Sequence, residues 1–229
     1  MEQTFPYVVF TIFGIPVTNT VVATWVMIAA WSILAYLASK RMSLRPKGWQ
    51  HLLEMGIEGL EGLISSTIGQ PGSEFLPMIG ALMIFLLTAN LLGLLPGLPS
   101  PTSDINTALA LALIVFFAVH YYGIRRQGLV GYIKLLAGPV FVGLPMEILG
   151  HVSRTLSLSL RLFGNMIAGT VIVAVLYGII PLVVPTVMLA FNIIFGLLQA
   201  FVFTLLAIVY IGQAVKPLAE EQQPPIPTQ

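Results

Sequence analysis

Cysteine is absent from the chain. Its absence excludes a disulfide framework and any thiolate metal site, and leaves the redox compartment open. Charge is scarce as well. Only 8% of the residues are Asp, Glu, Lys or Arg, against about 25% in a soluble domain. With 57% of its residues hydrophobic, the chain reads as a polytopic integral membrane protein. A net charge of +1 offers no electrostatic footprint for nucleic acid. There is no glycine-rich phosphate loop ending in Lys-Ser/Thr, no His-Glu-x-x-His and no cluster of metal ligands. Bond-making chemistry on this chain alone is therefore excluded. It is not expected to be an enzyme by itself, nor to hold a cofactor or resident metal. Transport, or a membrane-embedded part of a larger machine, is what remains. Residues 1–11 carry no basic region ahead of their apolar run, so no cleaved signal peptide is expected.

Long apolar runs are what the chain has instead. The expected fold is an all-α integral membrane protein with about five spans. The first, residues 19–39, is long enough to cross a hydrocarbon core of about 30 Å. It ends in Lys40-Arg41. Residues 48–69 differ: Leu52, Leu53, Gly56, Leu60 and Leu63 recur at helical spacing against Glu54, Glu58 and Glu61. That pattern fits an amphipathic helix in the interface, or equally a cytoplasmic helix packed on the rest of the chain. The second span is 75–95, closed by the breaker cluster Pro96-Gly97-Leu98-Pro99-Ser100-Pro101. Asp104 is placed to cap the third span, 105–124. Residues 127–145 are broken by Gly and Pro and read as a loop or a short surface element. Two long spans follow, 146–180 and 184–215, with Pro181 and Pro185 at the bend. A polar, Pro-rich tail, 216–229, is expected to be disordered.

The basic residues fall on one side of this arrangement. Lys40, Arg41, Arg45, Lys47, Arg125, Arg126, Lys134 and Lys216 all lie at loops or ends of that side, and the other side carries none. The positive-inside rule then places the N-terminus outside and the C-terminus in the cytoplasm. Residues 146–180 would span about 52 Å as a helix, some 20 Å more than the core. Either the helix is strongly tilted, or its first turns project into the cytoplasm.

Only Arg154 and Arg161 lie inside a span. Arg161 sits deep in an apolar stretch with no carboxylate within a dozen residues. A guanidinium keeps its charge at physiological pH, and at membrane depth it costs several kcal/mol unless it faces water or a partner. The expected partner is on another chain. Glu147, Arg154 and Arg161 are spaced by seven, which puts them near one helix face. Ser157 and Asn165 fall close to it, and Gly150, Gly164, Ala168 and Gly169 let another helix approach closely. Asn192, Gln199, Thr204 and Gln213 interrupt the last span, with Gln199 about level with Arg161 if the two spans form a hairpin. Taken singly, Ser157, Ser159, Asn165 and Thr204 also fit interhelical glue, and Arg154 fits a snorkelling arginine. His151, four residues after Glu147, is placed either to shuttle protons or simply to be solvated.

The segment Ser157-Leu158-Ser159-Leu160-Arg161-Leu162-Phe163-Gly164-Asn165-Met166 resembles the signature of subunit a of F-type ATP synthases. Three other stretches are similar to that family, in the same order: Asn90-Leu91-Leu92-Gly93-Leu94-Leu95-Pro96-Gly97, Asp104-Ile105-Asn106-Thr107, and Gln199-Ala200-Phe201-Val202-Phe203-Thr204-Leu205 leading to Tyr210. The resemblance runs from the first span to Val215. It implies the membrane stator of a rotary motor, in a bacterial-type plasma membrane, beside a ring of c subunits with one mid-membrane carboxylate each. Its further implied partners are b-type peripheral stalk subunits and the rest of the complex, besides lipid, with no nucleic acid. Arg161 maps onto the family's essential arginine, which favours the ionised c-ring carboxylate and separates two offset aqueous half-channels. The last two spans map onto its long tilted hairpin. Gln199 matches the glutamine facing the arginine, Asn165 the motif asparagine of a half-channel, Glu147 an acid on the cytoplasmic exit side, and Arg154 a basic position there.

Two positions depart from the family pattern. Many members have an ionisable residue nine after the arginine and another seven before the glutamine; here Thr170 and Asn192 stand there, and neither titrates. A proton path would then run on water held by these side chains. Alternatively, hydroxyl and amide oxygens suit Na⁺, a hard cation. Protons are the expected ion, sodium the alternative. A stand-alone channel or secondary transporter using Arg161 as an anion site is the competing function, but the internal repeat common in such proteins is missing.

Overall fold

The protein is described by a computed structural model covering residues 7–12, 14–41, 48–93, 100–137, 143–179 and 183–215. The tail 216–229, most of the proline cluster after the second span, Arg45, Lys47 and the bend at 180–182 lie outside the described residues.

Six helices make up nearly all of it: α1 (Asn19–Arg41), α2 (Trp49–Ile68), α3 (Leu76–Leu92), α4 (Ile105–Ala137), α5 (Gly143–Ile179) and α6 (Val183–Val215). Helices α1, α4, α5 and α6 are long and apolar enough to cross a membrane; α3 is apolar but only 17 residues long. That is about 25 Å, close to the shortest useful span.

One element escaped the sequence. Strands β1 (Val8–Ile12) and β2 (Ile15–Thr18) pair antiparallel ahead of α1, with Ile12 opposite Ile15 and Phe10 opposite Val17. β-Branched residues favour the pleat, and Gly14 turns the chain at φ +83°, a conformation side chains resist.

A second difference is α4. The expected loop over 127–145 is helical to Ala137, with a break at Gly128 (φ 71°, ψ 165°). Of the glycines there, only Gly128 leaves helical geometry. The segment after it folds back, so that the Tyr132 ring lies where a Cβ on Gly123 would stand, 2.4 Å from it. The Leu, Val, Tyr and Ile residues of 129–136 give this segment an apolar face, and Tyr132 is buried by it.

Side-chain bonds fix which helix ends lie together. Arg125 and Arg126 both pair with Glu74 at the start of α3. Gln127 Nε2 donates to the Ala214 carbonyl at the end of α6, at 3.0 Å. The end of α2 joins them, with Ile64 and Ile68 buried and Gly212 of α6 against Ile68. This is the charged end of the bundle. At the opposite end Asp104 caps α4 as expected, Oδ1 accepting from Asn106 N at 3.0 Å, while Oδ2 accepts from Thr20 Oγ1 of α1 at 2.8 Å.

Between the ends runs one apolar core, including Phe75, Ile79, Leu86, Ala108, Val115, Leu158, Leu162, Phe203 and Ile208. Helix α2 supports both expectations in part. Its second half packs on this core through Leu60, Leu63, Ile64 and Ile68, while Leu52, Leu53 and Met55 of its first half are exposed.

Candidate functional site

Helices α5 and α6 run antiparallel, and their polar side chains meet in sequence-reversed order. Arg154 reaches Gln213, Asn165 reaches Gln199, and Gly169 lies against Asn192. Arg161 is the midpoint of α5. Leu158, Ser159 and Leu162 are buried behind it, while Leu160 and Arg161 are exposed. Among the described residues Arg161 has neither an ion pair nor a hydrogen bond. A Cβ on Gly164 or Gly150 would meet nothing within 4 Å. Gly150 and Gly164 are thus covered by nothing among the described residues.

Glu147 and Arg154 meet, as the seven-residue spacing requires: Nη1 of Arg154 is 3.8 Å from Glu147 Oε1. The same Nη1 donates to Gln213 Oε1 at 3.2 Å, and the guanidinium lies 5.9 Å from the Tyr210 ring centroid. His151 Nε2 is 3.4 Å from the same Glu147 oxygen. Glu147, His151, Arg154 and Gln213 line a cleft of about 900 Å³ at the charged end, with Ser66 and Thr67 of α2, Gln70 just after it and Tyr132 on its other walls. A small separate cavity of about 10 Å³ between α4, α5 and α6 reaches Leu158 and shares His151 and Arg154 with the lining of the cleft.

A second polar cavity, of about 30 Å³, lies beyond Arg161. Its walls include Asn165, Gly169 and Thr170 from α5, Asn192, Gly196 and Gln199 from α6, and Asn90 and Gly93 from α3. No carboxylate or histidine lines it. Asn165 Nδ2 donates to Gln199 Oε1 at 2.7 Å. Gln199 is therefore held by Asn165, one turn along from Arg161, and makes no bond to the guanidinium. Its own Nε2 is buried and unpaired among protein atoms, an arrangement that an ordered water would complete. Asn192 packs on Gly169, where an added Cβ would come within 2.6 Å of Oδ1. Thr170 Oγ1 donates to its own helix, at Met166 O. Ser157 is exposed and unbonded among the described residues.

Asn90 is the residue that sequence reasoning passed over. Its Nδ2 donates to the Gly196 carbonyl at 2.8 Å, and its Oδ1 accepts from Thr102 Oγ1 at 2.9 Å. A lone amide in the apolar run of α3 was the available signal.

Among the described residues, the linings of these two sets of cavities share no residue. On α5 their lining ends at Leu158 on one side and resumes at Asn165 on the other. Arg161 stands in that gap, and Leu162 is fully buried beside it.

Comparison with known proteins adds two kinds of finding. A family model described as the ATP synthase A chain matches residues 20–212. The chain is similar to an ATP synthase subunit a 2 of Bradyrhizobium sp., 44% identical over 211 residues, which cover 92% of this chain and 95% of the relative. It is also similar to an ATP synthase subunit a 2 of Picosynechococcus sp., 40% identical over 225 residues and 97% of each chain. An ATP synthase subunit a of Moorella thermoacetica is 38% identical over 215 residues, 94% of this chain and 99% of the relative.

Proposed function

The chain belongs to the ATP synthase A chain family, and from that premise we propose that it is the ion-translocating stator subunit of a rotary F-type ATP synthase. It is a membrane subunit of the complex and does not itself turn over nucleotide. Its two separated cavities are the two half-channels. The ring of c subunits passes the open face of α5 and α6, and each mid-membrane carboxylate in turn meets Arg161. The guanidinium holds that carboxylate ionised as it passes, so the arriving site releases its ion. Because the cation cannot be deprotonated, it also bars a direct path between the half-channels. The remaining partners are b-type stalk subunits and the rest of the complex. Of the five spans, α3 is the second, and α5 and α6 lie strongly tilted against the ring. The charged end faces the cytoplasm of a bacterial-type cell, following the positive-inside rule.

One observation carries this proposal: the interruption of the cavity lining across Arg161. A stand-alone channel would need one continuous path. A transporter with Arg161 as its anion site would need a cavity at that residue, and Arg161 lines neither cavity.

The coupling ion is the proton. Sodium is the second reading, favoured by the amide and hydroxyl lining of the 30 Å³ cavity. The test is ATP-driven ion pumping by the reconstituted whole enzyme, native against Arg161→Ala, in sodium-free and sodium-containing buffer. The variant is expected to assemble, to fail to pump, and to leak passively. Native pumping without sodium identifies protons; strict sodium dependence identifies Na⁺. Normal pumping by the variant would overturn the stator function.

A further inference from the structure

We infer that His151 is the proton-relay residue of the cleft at the charged end, passing protons between the inner cavity and Glu147. The inference rests on the proton-coupled stator function proposed above. Sequence alone left this histidine between a shuttle and a solvated edge residue. Its environment decides between them: the side chain is only 15% exposed, against 43% for Glu147.

Position is the main argument. The wide cleft and the narrow cavity leading toward Leu158 share two lining residues, His151 and Arg154. Any proton moving between the two spaces passes these side chains. Arg154 stays charged and cannot exchange a proton at physiological pH. Tyr210 lines the inner cavity and Tyr132 the cleft, but a phenol near pKa 10 is a poor carrier. From α4, His120 faces the His151 ring at 5.3 Å between centroids. It lines neither space, and its Nδ1 lies 2.7 Å from the Phe116 carbonyl of its own helix. From α6, Gln213 does not titrate, and neither do the α2 residues of the cleft. His151 is left as the exchangeable group at the junction, an imidazole whose two ring nitrogens can take and give a proton.

The transfer is a simple one. A proton arriving from the inner cavity binds the free ring nitrogen and makes an imidazolium. Nε2–H then gives its proton to Glu147 Oε1, 3.4 Å away, a gap that small side-chain motion or one water closes. The ring is left as the neutral tautomer protonated on its other nitrogen, a ring flip or proton exchange through water restores Nε2–H for the next transfer, and the Glu147 carboxyl releases the proton to cleft water. One N–H and one O–H bond form and break in turn, and one proton moves.

The experiment measures passive proton conduction through membranes holding the whole complex stripped of its soluble sector, across a range of pH, with ATP-driven pumping by the intact enzyme beside it. The variants are His151→Gln and His151→Leu, with His51→Gln, an exposed residue of α2, as control. Conduction is expected to fall about tenfold in both His151 variants; a positioned acid–base group contributes ~10²–10⁴-fold in catalysis, and cleft water supplies a parallel route here. The remaining rate should lose the part of its pH profile that titrates near neutrality, and added imidazole should restore rate. Leu fits the apolar side of the site, so it is read if Gln fails to assemble. Native rates and an unchanged pH profile in an assembled variant would overturn the relay while leaving the stator function standing. Strict sodium dependence of the native enzyme would overturn the proton reading and the relay together.

Discussion

Arg161→Leu is expected to make the subunit more stable and the enzyme inactive. The reason lies in what surrounds the residue. Glu147, the nearest acid on α5, is fourteen residues away, or about 21 Å along the helix. At that distance the attraction is about 0.2 kcal/mol in water and about 0.8 kcal/mol at an effective dielectric constant of ~20. Salt screens most of even that where solvent reaches, since the Debye length is about 8 Å. The chain therefore gives Arg161 almost no compensation. An arginine at the centre of a membrane helix costs about 2.5–3.5 kcal/mol on insertion scales, and a leucine there is favourable by about 0.5 kcal/mol. Subtracting the weak attraction, the leucine variant of the isolated subunit should be about 2–4 kcal/mol more stable. The assay is reversible unfolding of the purified subunit by SDS in mixed micelles, native against Arg161→Leu, beside ATP-driven pumping by reconstituted enzyme. A loss of stability on substitution would refute the reasoning, because it would mean that Arg161 has a partner within its own chain.

Three smaller predictions follow from the same geometry. Asn165→Leu strips Gln199 of its one bond in a buried place and should cost about 1–3 kcal/mol; the double variant with Gln199→Leu should cost less than the two singles summed, as an unfolding cycle will show. Gly123→Ala drives a methyl into the Tyr132 ring, 2.4 Å from it, and should cost about 1–3 kcal/mol by overpacking, with Gly123→Ala/Tyr132→Leu recovering much of the loss. Gly169→Leu pushes into Asn192 and fills the 30 Å³ cavity; conduction should fall without any leak, the opposite of the Arg161 phenotype, and a native pumping rate would remove that cavity from the route.

Much of this was legible in the chain because lipid leaves so few solutions. A run such as 105–124 must be helical where backbone groups have no water to bond, and Asp104 ahead of it behaves as its cap. The failures have local causes. Residues 127–145 read as a loop or a short surface element, and the helix over 129–137 is hidden because Gly128 and Gly131 look alike in sequence, yet of the two only Gly128 takes a positive φ. The hairpin before α1 is too short for its alternation to stand out against the apolar run that follows. At the site, spacing by seven correctly brought Glu147 to Arg154, a local relation on one helix. It could not give the pairing of Asn165 with Gln199, or of Asn90 with Gly196, because those depend on the register between helices. That register is set by where glycines allow approach: Gly169 under Asn192, and Gly196 under Asn90.

The gap around Arg161 also bears on how voltage drives the motor. On α5 it runs from Leu158 to Asn165, seven residues or about 10 Å of helix. The hydrocarbon core is about 30 Å thick. Under the proposed function both cavities hold water, and water sustains little field. The membrane potential then falls mainly across the gap, where the field is about three times that of a uniform slab of the same thickness. The work per ion is unchanged, about 2.3 kcal/mol per charge for each 100 mV, but it is delivered at the place where the ring carboxylate meets the guanidinium. A fully buried leucine, Leu162, seals that place on the side of the bundle, so the charge has no way round except on the ring. The uncompensated cost of Arg161 and the dryness of its surroundings are thus two aspects of one arrangement: a cation neutralised within its own chain would neither attract the ring carboxylate nor hold the barrier across which the potential does its work.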